Sequence, residues 1–511
     1  MIFKNIQKII NNLIICGENE IFDFVHFRFS LRATFRMFIS IFKQKIRNLK
    51  LIMTRSIFFF ILTFSSILVS AQNHIVPLWK KDFKNGLNSI NKATSVKSDR
   101  FGNCYVLGTT SLADSTKDIL VVKYTTDGSE LWHRLFNNKS NGDDFPRAMT
   151  LDLYGDVWVC GIAKLSPDKC DFLVTKFSNE GVPQFEYVYD GPDQMYDEAN
   201  CIAADKLGNV YVGGYTTSSD SGLDLLLMRF YADGSLAWKK KYATLSLDNA
   251  TSLVVDDSCN VYVCGNTNNS QRSSDIIVMK YDSAGNQQWS QVYDGIFSER
   301  DAANIIRIDD SLNVYVSGFV NHTNDRSDLP LLKFSPQGVL LKESLYNGVS
   351  ADCQATSIRI EDEFAFVTGK KIEYNTATTS GVLLKYNKAG IEKLFLKTPT
   401  DVFFDATHRF GNREIVFGTK LTHPESTLIP FIAEIDTLPQ FKWTFSDSTV
   451  YGISHFVDVE VDKDNIYFLG DDAGDATGTI NLLKYKINNE AEQKKKPAIN
   501  KSNKSGIPKN K

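Results

Sequence analysis

The sequence predicts an all-β protein, and three observations carry that prediction. A short apolar run ending in glycine recurs eight times along the 511 residues, at intervals of 49 to 53 residues. The segments between these runs are short, β-branched and aromatic, and they are separated by Gly, Asn and Asp, as expected for strands joined by tight turns. No segment shows the 3.6-residue period of an amphipathic helix. Four-stranded modules repeated at this interval indicate a single β-propeller.

Each repeat contains the same series of predicted strands. The second strand is the glycine-ending run, whose clear copies are Asn103–Gly108, Asp156–Gly161, Asn209–Gly214, Asn260–Gly265 and Asn313–Gly318, and whose weaker copies end at Gly369, Gly418 and Gly470. The third strand follows an aspartate, at Asp118, Asp171, Asp224, Asp275 and Asp328. A turn then leads to a fourth strand that carries a large aromatic residue in most repeats, at Trp79, Trp132, Phe185, Trp238, Trp289 and Trp443. Regular spacing favours packing between repeats over a sugar-stacking role for these rings.

The two ends of the repeated region predict ring closure. The last repeat stops after Ile480–Tyr485 and lacks its fourth strand, whereas Pro77–Phe83 is a tryptophan-bearing strand with no repeat before it. Together these segments complete one four-stranded blade, which would leave no open sheet edge at the seam. We therefore predict eight blades, or seven if one weak copy is a decorated loop.

The recurring pattern D-x-x-G-N-x-Y-V-x-G, then D-x-x-x-x-K-[YF], then D-G-x-x-x-W resembles the bacterial SBBP β-propeller repeat family. The resemblance covers about residues 77–488 and frays in the last three repeats, where Glu361–Phe364 lacks the turn glycine and Glu434 replaces the lysine. Members are mostly exported or surface proteins of unassigned function, so the resemblance implies a fold and a location but no reaction. The family name implies seven blades.

The chain divides into four predicted segments. Residues 53–71 have a basic start, a short apolar core and small residues before position 72, which is typical of a secretory signal peptide. Residues 1–52 are then a misassigned or disordered extension, or alternatively a basic amphipathic segment on a membrane surface. Residues 72–490 form the propeller, and 491–511 form a lysine-rich disordered tail. We expect a secreted, periplasmic or cell-surface protein.

Charge is distributed unevenly along the chain. Residues 1–71 carry 10 basic and 3 acidic side chains, whereas residues 72–490 carry 40 basic and 56 acidic ones, a net charge of −16. An acidic body argues against nucleic acid as a partner, because phosphates are bound by clustered Lys and Arg. After position 71 no stretch is long and apolar enough to span a membrane. We expect a monomer whose partner is a protein or glycan bound at one propeller face.

One acidic series is a candidate metal site. An aspartate lies just before the predicted first strand of six successive repeats, at Asp144, Asp197, Asp248, Asp301, Asp352 and Asp405. In a propeller these positions meet around one mouth of the central channel, where converging carboxylates could recruit a divalent cation such as Ca²⁺. In the alternative interpretation, each aspartate binds the backbone of its own loop. No other cofactor is expected.

Two further features of the repeats have residue types that can take part in binding. The turns that begin near Asp99, Asp152, Asp205 and Asp310 are rich in oxygen ligands, but one carboxylate per hairpin favours a turn-forming role over calcium binding. The loops between second and third strands vary most and are the expected place for specificity; they are 109–116, 166–170, 266–274, 321–327, 373–379 and 423–427.

The sequence favours a binding or scaffold module over an enzyme. It contains no HExxH, GxSxG or phosphate-loop motif, and the six histidines after position 71 occupy unrelated repeat positions. The seven cysteines after position 71 show no metal-ligand spacing and give no disulfide pairing. The alternative is a secreted polysaccharide hydrolase or lyase, because carboxylate pairs assemble from distant loops without a local motif.

Overall fold

The computed structural model describes residues 74–488 apart from 87–88, 112–115, 140, 167–168, 245–246, 269–272, 323–325, 348–350, 377, 388, 390–391, 399–400, 423–426, 436–440, 451–452 and 473–477. The chain divides into two compact bodies, Met1–Val69 and Ser70–Lys511, and every described residue belongs to the second. The predicted extension, signal segment and lysine-rich tail lie outside the described residues.

The described residues form strands and turns without any helix. The strands are β1 (Ile75–Phe83), β2 (Ile90–Ser98), β3 (Cys104–Ser111), β4 (Asp118–Tyr124), β5 (Glu130–Phe136), β6 (Asp144–Leu151), β7 (Val157–Ser166), β8 (Lys169–Phe177), β9 (Pro183–Tyr189), β10 (Asp197–Ala204), β11 (Val210–Ser218), β12 (Gly222–Phe230), β13 (Leu236–Tyr242), β14 (Asn249–Val255), β15 (Val261–Asn268), β16 (Ser274–Tyr281), β17 (Gln287–Tyr293), β18 (Asp301–Ile308), β19 (Val314–Asn321), β20 (Ser327–Phe334), β21 (Leu340–Tyr346), β22 (Ala351–Glu361), β23 (Phe364–Glu373), β24 (Thr379–Asn387), β25 (Glu392–Lys397), β26 (Val402–Phe410), β27 (Arg413–Thr422), β28 (Thr427–Ile435), β29 (Phe441–Ser446), β30 (His455–Asp462), β31 (Asn465–Asp472) and β32 (Thr479–Ile487). Accordingly, no helix able to cross a membrane was found in this part of the chain.

The strands pair as the repeat predicts, each with its neighbour in sequence. They form seven sheets, of which six have four strands. The seventh has eight, because one parallel bridge between Ser327 and Asp352 joins β18–β21 to β22–β25. We refer to the four-strand repeats as units 1 to 7, from β2–β5 to β26–β29, and to β30–β32 with β1 as unit 8.

The N-terminal strand β1 belongs to the last unit. It pairs antiparallel with β32 from Ile75↔Ile487 to Phe83↔Ile480, with one irregularity between Pro77 and Trp79. The resulting sheet has the order β1-β32-β31-β30. Residues 77–83 therefore occupy the fourth-strand position that the sequence predicts for them.

The first strand of each unit contains a β-bulge at the same place. In unit 2 the register shifts between Pro146 and Ala148, which makes Arg147 the extra residue. The corresponding bulge residues in units 3, 4, 5, 6 and 7 are Asn200, Thr251, Asn304, Thr356 and Asp405. Several of these side chains donate to the next first strand: Thr251 Oγ1 donates to the Ala303 carbonyl at 2.6 Å and Thr356 Oγ1 to that of Phe404 at 2.9 Å.

Buried apolar side chains lie between consecutive units rather than in one central core. Among the described residues they form eight clusters, each shared by two neighbouring units. One cluster joins unit 8 to unit 1 through Tyr467, Leu482, Val106 and Leu120. Because both faces of a middle strand are covered, strands such as β3 and β4 are buried along almost their whole length instead of alternating between buried and exposed positions. Full burial of each such side chain contributes about 1.5–3 kcal/mol.

A recurrent contact, which we call the turn clamp, explains the conserved spacing of the lysine and tryptophan motifs. Trp132 Nε1 and Lys123 Nζ of unit 1 both donate to the Asn179 carbonyl, in the turn between the third and fourth strands of unit 2, at 3.1 Å each. The ring of Trp132 covers Gly181 in the same turn, which has a φ of +79°. Trp238 and Arg229 bind the Ser283 carbonyl in the same way. The interpretation of the tryptophans as packing residues is consistent with these contacts.

The turns between first and second strands are held by their aspartates. Asp205 accepts hydrogen bonds from the backbone N–H groups of Leu207 and Asn209 at 2.8 and 2.9 Å and from the Asn209 side chain. Asp309, rather than Asp310, fills this role in unit 5, because the turn begins one residue earlier than the sequence suggested. These carboxylates thus serve the hairpin, as expected.

Candidate functional site

One end of the molecule brings together the loops that the sequence singled out. In an antiparallel meander the first and third strands begin at the same end, and the second and fourth strands finish there. The loops between units and the loops between second and third strands therefore share one face, which we call the loop face. The predicted aspartates lie at this face or immediately below it.

Four of the six predicted aspartates occupy one register position, three residues before the bulge of the first strand. They are Asp144, Asp197, Asp248 and Asp301, and each is fully buried. Each carboxylate accepts a backbone N–H from its own preceding loop, from Asn138, Gly191, Thr244 and Gly295 respectively. The shared role of these four side chains is therefore to fix the loop that leads into the first strand.

Asp352 and Asp405 occupy different places, although their sequence spacing matches. Asp352 precedes its bulge by four residues, is half-buried, and accepts hydrogen bonds from Tyr374 and Ser327. Asp405 is itself the bulge residue of unit 7. The six aspartates therefore do not share one register position. Relative to the bulge, Asp352 is displaced by one residue and Asp405 by three residues from the position of the other four. Metal binding by the series as a whole stays a prediction.

Among the described residues, two groups of three carboxylates are close enough to share a cation, and each contains one member of the predicted series. Asp197 lies with Asp171 and Asp190, and we call this group the unit 2 triad. The equivalent unit 4 triad consists of Asp275, Asp294 and Asp301. Within each triad, one ligand oxygen from each residue lies within 4.8 Å of the others.

The unit 2 triad is built from two strands and the loop that connects unit 2 to unit 3. Asp171 lies near the start of β8, Asp190 directly follows β9, and Asp197 begins β10. Asp171 and Asp197 are buried, at 1% and 0% exposure, whereas Asp190 reaches solvent. Lys169 Nζ donates to Asp190 Oδ2 at 2.6 Å. Burial, together with the charges of Asp190 and Asp197, raises the pKa of Asp171 to about 6 despite the nearby Lys169.

The unit 4 triad repeats this arrangement with Ser273 at the position of Lys169. Asp301 accepts the backbone N–H groups of Gly295 at 2.7 Å and Asn321 at 3.0 Å. Burial raises the pKa of Asp301 to about 6, and the charges of Asp275 and Asp294 add to that effect against the two backbone hydrogen bonds. Both triads therefore concentrate negative charge below the loop face.

Sequence reasoning missed the middle member of each triad. Asp190 and Asp294 each lie in the sequence Tyr-Asp-Gly, and the buried aspartate follows six residues after that glycine. Among the first five repeats this pattern occurs only in units 2 and 4. The equivalent positions in units 1, 3 and 5 are Asn137, Ala243 and Asn347. The additional aspartate in units 2 and 4 is therefore the sequence feature that distinguishes these two loops from the others.

The same interunit loops expose large apolar side chains. Met195 and Tyr196 are 41% and 45% exposed in the loop of the unit 2 triad, and Ile296 and Phe297 are 73% and 37% exposed in that of the unit 4 triad. The Phe297 ring lies 4.2 Å from that of His322. Exposed apolar groups beside carboxylates give this part of the loop face the mixed character of a recognition surface.

The variable loops proposed for specificity belong to the same face, but parts of them lie outside the described residues. These parts are 112–115, 167–168, 269–272, 323–325, 377 and 423–426. The cysteines at 104, 160, 201, 259, 264 and 353 are buried free thiols, and Cys170 is half-buried and free.

Comparison with solved structures returns matches of low sequence identity. Drosophila Plexin A in complex with Semaphorin 1b has a TM-score of 0.39 at 10% identity, covering 81% of this chain and 88% of that chain. Drosophila Semaphorin 1b, extracellular domains 1-2, gives 0.39 at 11% identity, covering 81% and 87%. The β-propeller domain of the Trilobed protease from Pyrococcus furiosus gives 0.39 at 9% identity, covering 67% and 95%.

Comparison of the sequence with family models gives one match, which covers 25 residues. No curated protein matches the chain. Residues 196–220, which begin in the loop of the unit 2 triad and continue through β10 and β11, match the family model described as SBBP: Beta-propeller repeat. The chain therefore carries the SBBP β-propeller repeat on an all-β fold of four-stranded antiparallel sheets.

Proposed function

We propose that this chain is an exported, non-enzymatic binding or scaffold module that holds a protein or glycan on the loop face of a closed, eight-bladed propeller. The observation that carries the proposal is the exposure of Met195, Tyr196, Ile296 and Phe297 on interunit loops beside two carboxylate triads. Large apolar side chains that remain exposed, with charged groups around them, are typical of interaction surfaces.

The eight-blade count is supported by the packing. A cluster of buried apolar residues separates every pair of consecutive units, including unit 8 and unit 1. Across that last boundary Trp79 Nε1 donates to the Thr126 carbonyl at 3.2 Å, and Lys484 Nζ donates to the same carbonyl at 2.8 Å. The single bridge between units 5 and 6 leaves each of them with its own four strands. We therefore count them as two blades.

Export is proposed from the pattern of residues 53–71, which lies outside the described residues. A cleaved chain beginning near position 72 would retain β1 and so the pairing with β32. Mass spectrometry of the protein from fractionated cells tests this step: we expect a mature N-terminus near 72 in an envelope or extracellular fraction. Peptides from 1–52 in the mature protein would contradict it.

Between the two partner classes, the exposed side chains favour a protein. Ile296 and Met195 are aliphatic, and an aliphatic group suits the apolar centre of a protein interface better than the flat face of a sugar, which aromatic rings recognise. Leu247, 49% exposed on the next interunit loop of this face, adds a further aliphatic group. The triads make the surrounding surface acidic, which predicts a partner with basic residues at its rim.

The enzyme alternative receives less support from the triads. A glycosidase needs two carboxyls about 5–10 Å apart and open to substrate. Asp171, Asp197 and Asp301 are at most 1% exposed, so a glycosidic bond does not reach them. The carboxylates of the two triads are thus placed for structure or ion binding.

The test uses the mature chain as bait on envelope and medium fractions and, in parallel, on a glycan array. The double variant Ile296→Ser with Phe297→Ser should weaken capture of the partner at least tenfold. Phe101→Ser with Tyr154→Ser is the matched control, because these residues are 66% and 62% exposed on turns of the opposite face. Equal binding by the loop-face double variant and the wild type would contradict the proposed surface, and a glycan-only signal would replace the protein partner with a sugar.

A further inference from the structure

We propose that Asp171, Asp190 and Asp197 bind a divalent cation, Ca²⁺ by preference. This site differs from the predicted ring of six aspartates, because it uses three segments of one interunit boundary and contains only one member of that ring. It also stands independently of the proposed partner, since a cation could occupy it in the free protein.

The geometry of the triad suits a hard cation. One carboxylate oxygen from each residue lies within 4.8 Å of the other two. A cation near their centre could bind all three at the 2.3–2.6 Å typical of calcium–oxygen contacts. Asp190 is exposed, so an ion can enter from the loop face and waters can complete the six to eight ligands that calcium takes.

The strongest indication of a ligand is Asp171. This side chain is 1% exposed, and neither of its carboxylate oxygens has a hydrogen-bond partner in the structure. Leaving an ionised carboxylate buried without a partner is strongly unfavourable. A cation bound by the triad would supply the missing interaction.

Equivalent aspartates of other units obtain their partners within the chain. In unit 3, Asp224 accepts hydrogen bonds from Lys241 Nζ at 2.7 Å and from Ser221 Oγ at 2.6 Å. In unit 5, Asp328 pairs with the His322 ring at 2.7 Å. Asp171 occupies the same strand position without such a donor, and Asp190 and Asp197 place two further carboxylates beside it.

The charges of the site complement a divalent ion. Three carboxylates give a formal charge of −3, and the Lys169 ammonium, bound to Asp190 Oδ2, brings the local sum to −2. Lys169 binds only the exposed carboxylate and leaves both buried ones without an ammonium contact. It therefore does not replace the ion at Asp171, and it must move or share Asp190 when the ion binds.

The direct test is diffraction from crystals of the mature chain soaked in Mn²⁺, a calcium substitute with a usable anomalous signal. We expect an anomalous peak within about 2.6 Å of Asp171, Asp190 and Asp197 oxygens. No peak there at saturating Mn²⁺ would overturn the proposal.

Solution binding provides the second test, by calorimetric titration with Ca²⁺. Asp171→Asn and, separately, the exposed Asp190→Asn should each lower the number of calcium ions bound per chain by one. Asp224→Asn is the matched control and should leave that number unchanged, because Lys241 already satisfies the unit 3 position. Circular dichroism in EDTA checks that each variant is folded. The same calcium stoichiometry for wild type and both triad variants would overturn the site.

Discussion

Units 1 and 7 carry the same fourth-strand tryptophan but use it differently. In unit 1, Trp132 and Lys123 both donate to the Asn179 carbonyl in the next unit. In unit 7, Trp443 Nε1 instead donates to Glu434 of its own unit, at 2.8 Å, and Glu434 takes the place of the lysine. The tryptophan of unit 1 thus bonds to the next unit, whereas that of unit 7 bonds within its own unit.

The difference follows from the structure of unit 8, the unit that packs against unit 7. Unit 8 has no turn between its third and fourth strands, because β32 is followed in space by β1 from the N-terminal side. The Asn488 carbonyl, just after β32, accepts from Arg413 Nη1 at 2.8 Å, and the His74 ring, just before β1, stacks on Trp443 at 5.2 Å. We call this arrangement the seam clamp.

The seam clamp shows how the repeat motif of this chain is altered where the fourth strand of unit 8 comes from the N-terminal segment. Glu434 is only 3% exposed, and it accepts from Arg413 at 2.8 Å, Lys442 at 2.9 Å and Trp443. Burial acts to raise the pKa of Glu434, but the hydrogen bonds from Lys442, Arg413 and Trp443 outweigh it and hold the pKa below its ordinary value. A carboxylate here positions the arginine that reaches the seam, which a lysine could not do.

The largest expected effect comes from placing at position 434 the lysine that other repeats of this chain carry there, as at Lys123 and Lys176. Glu434→Lys would place an ammonium beside Arg413 and Lys442 with no acceptor for the buried charge, at a cost of about 3–5 kcal/mol in the free energy of unfolding. Urea denaturation measures it. Asp310→Lys, at an exposed turn position, is the control and should change stability by less than about 0.5 kcal/mol. If Glu434→Lys left the free energy of unfolding unchanged, the seam clamp would not hold the units together.

The turn clamp should be nearly as sensitive. Trp132→Ala removes a ring packed on Gly181 together with a hydrogen bond to Asn179, and we expect a loss of about 3 kcal/mol by the same denaturation measurement. Leu131→Ala alters a neighbouring side chain that is 53% exposed and should cost less than about 0.5 kcal/mol. Equal costs for the two substitutions would argue against a special role for the tryptophan.

A glycine pair separates steric contact from backbone strain. Both Gly181 and Gly411 have positive φ, +79° and +60°, but a Cβ at Gly181 would lie 2.7 Å from the Trp132 ring, whereas one at Gly411 meets nothing within 4 Å. Gly411→Ala should cost about 1 kcal/mol from strain alone, and Gly181→Ala about 2 kcal/mol or more. Thermal unfolding of the two variants compares them, and a larger loss at Gly411 would contradict the clamp.

The smallest effect concerns the bulge residue of unit 7. Burial raises the pKa of Asp405 to about 6, with Lys370 opposing and Asp458 adding to the shift. Because the folded-state pKa exceeds that of the unfolded chain, the stability that the protonated form contributes is present below about pH 4 and is lost as pH rises through 6. Asp405→Asn should therefore stabilise the protein at pH 7 and change little at pH 4; a shift of this size corresponds to at most about 3 kcal/mol, and solvent screening of the half-buried carboxylate reduces the expected gain to about 1 kcal/mol. Stability equal to wild type at both pH values would show that this carboxyl is not destabilising.

Much of the fold could be predicted from sequence because its determinants are local and repeated. The strand runs, the turn glycines and the Trp79 segment are each short patterns, and eight weakly similar copies reinforce one another. The repeat pattern does not predict the structural position of residues in repeats that differ from the others. Asp352 and Asp405 fit the spacing but are displaced relative to the bulge, which only the register reveals.

The candidate site was harder to predict for a different physical reason. The unit 2 triad joins residues from β8, from β10 and from the loop before β10, so the distances between them depend on how consecutive sheets pack. Asp171 was recognised as part of a strand motif and Asp197 as part of an acidic series, but nothing local links the two. Likewise, the exchange of lysine for Glu434 is explained only by the missing turn of unit 8.

Residue-level hydrogen exchange across β32 tests the central claim, that a ring of repeated sheets is closed by β1, most directly. Inside the sheet order β1-β32-β31, successive amides from Ile480 to Tyr485 bond alternately to the two neighbours, so all of them should be protected to the level of global unfolding. If β32 were an edge strand, every second amide would exchange as fast as a loop. Uniform protection would support the closed ring, and alternating protection would contradict it.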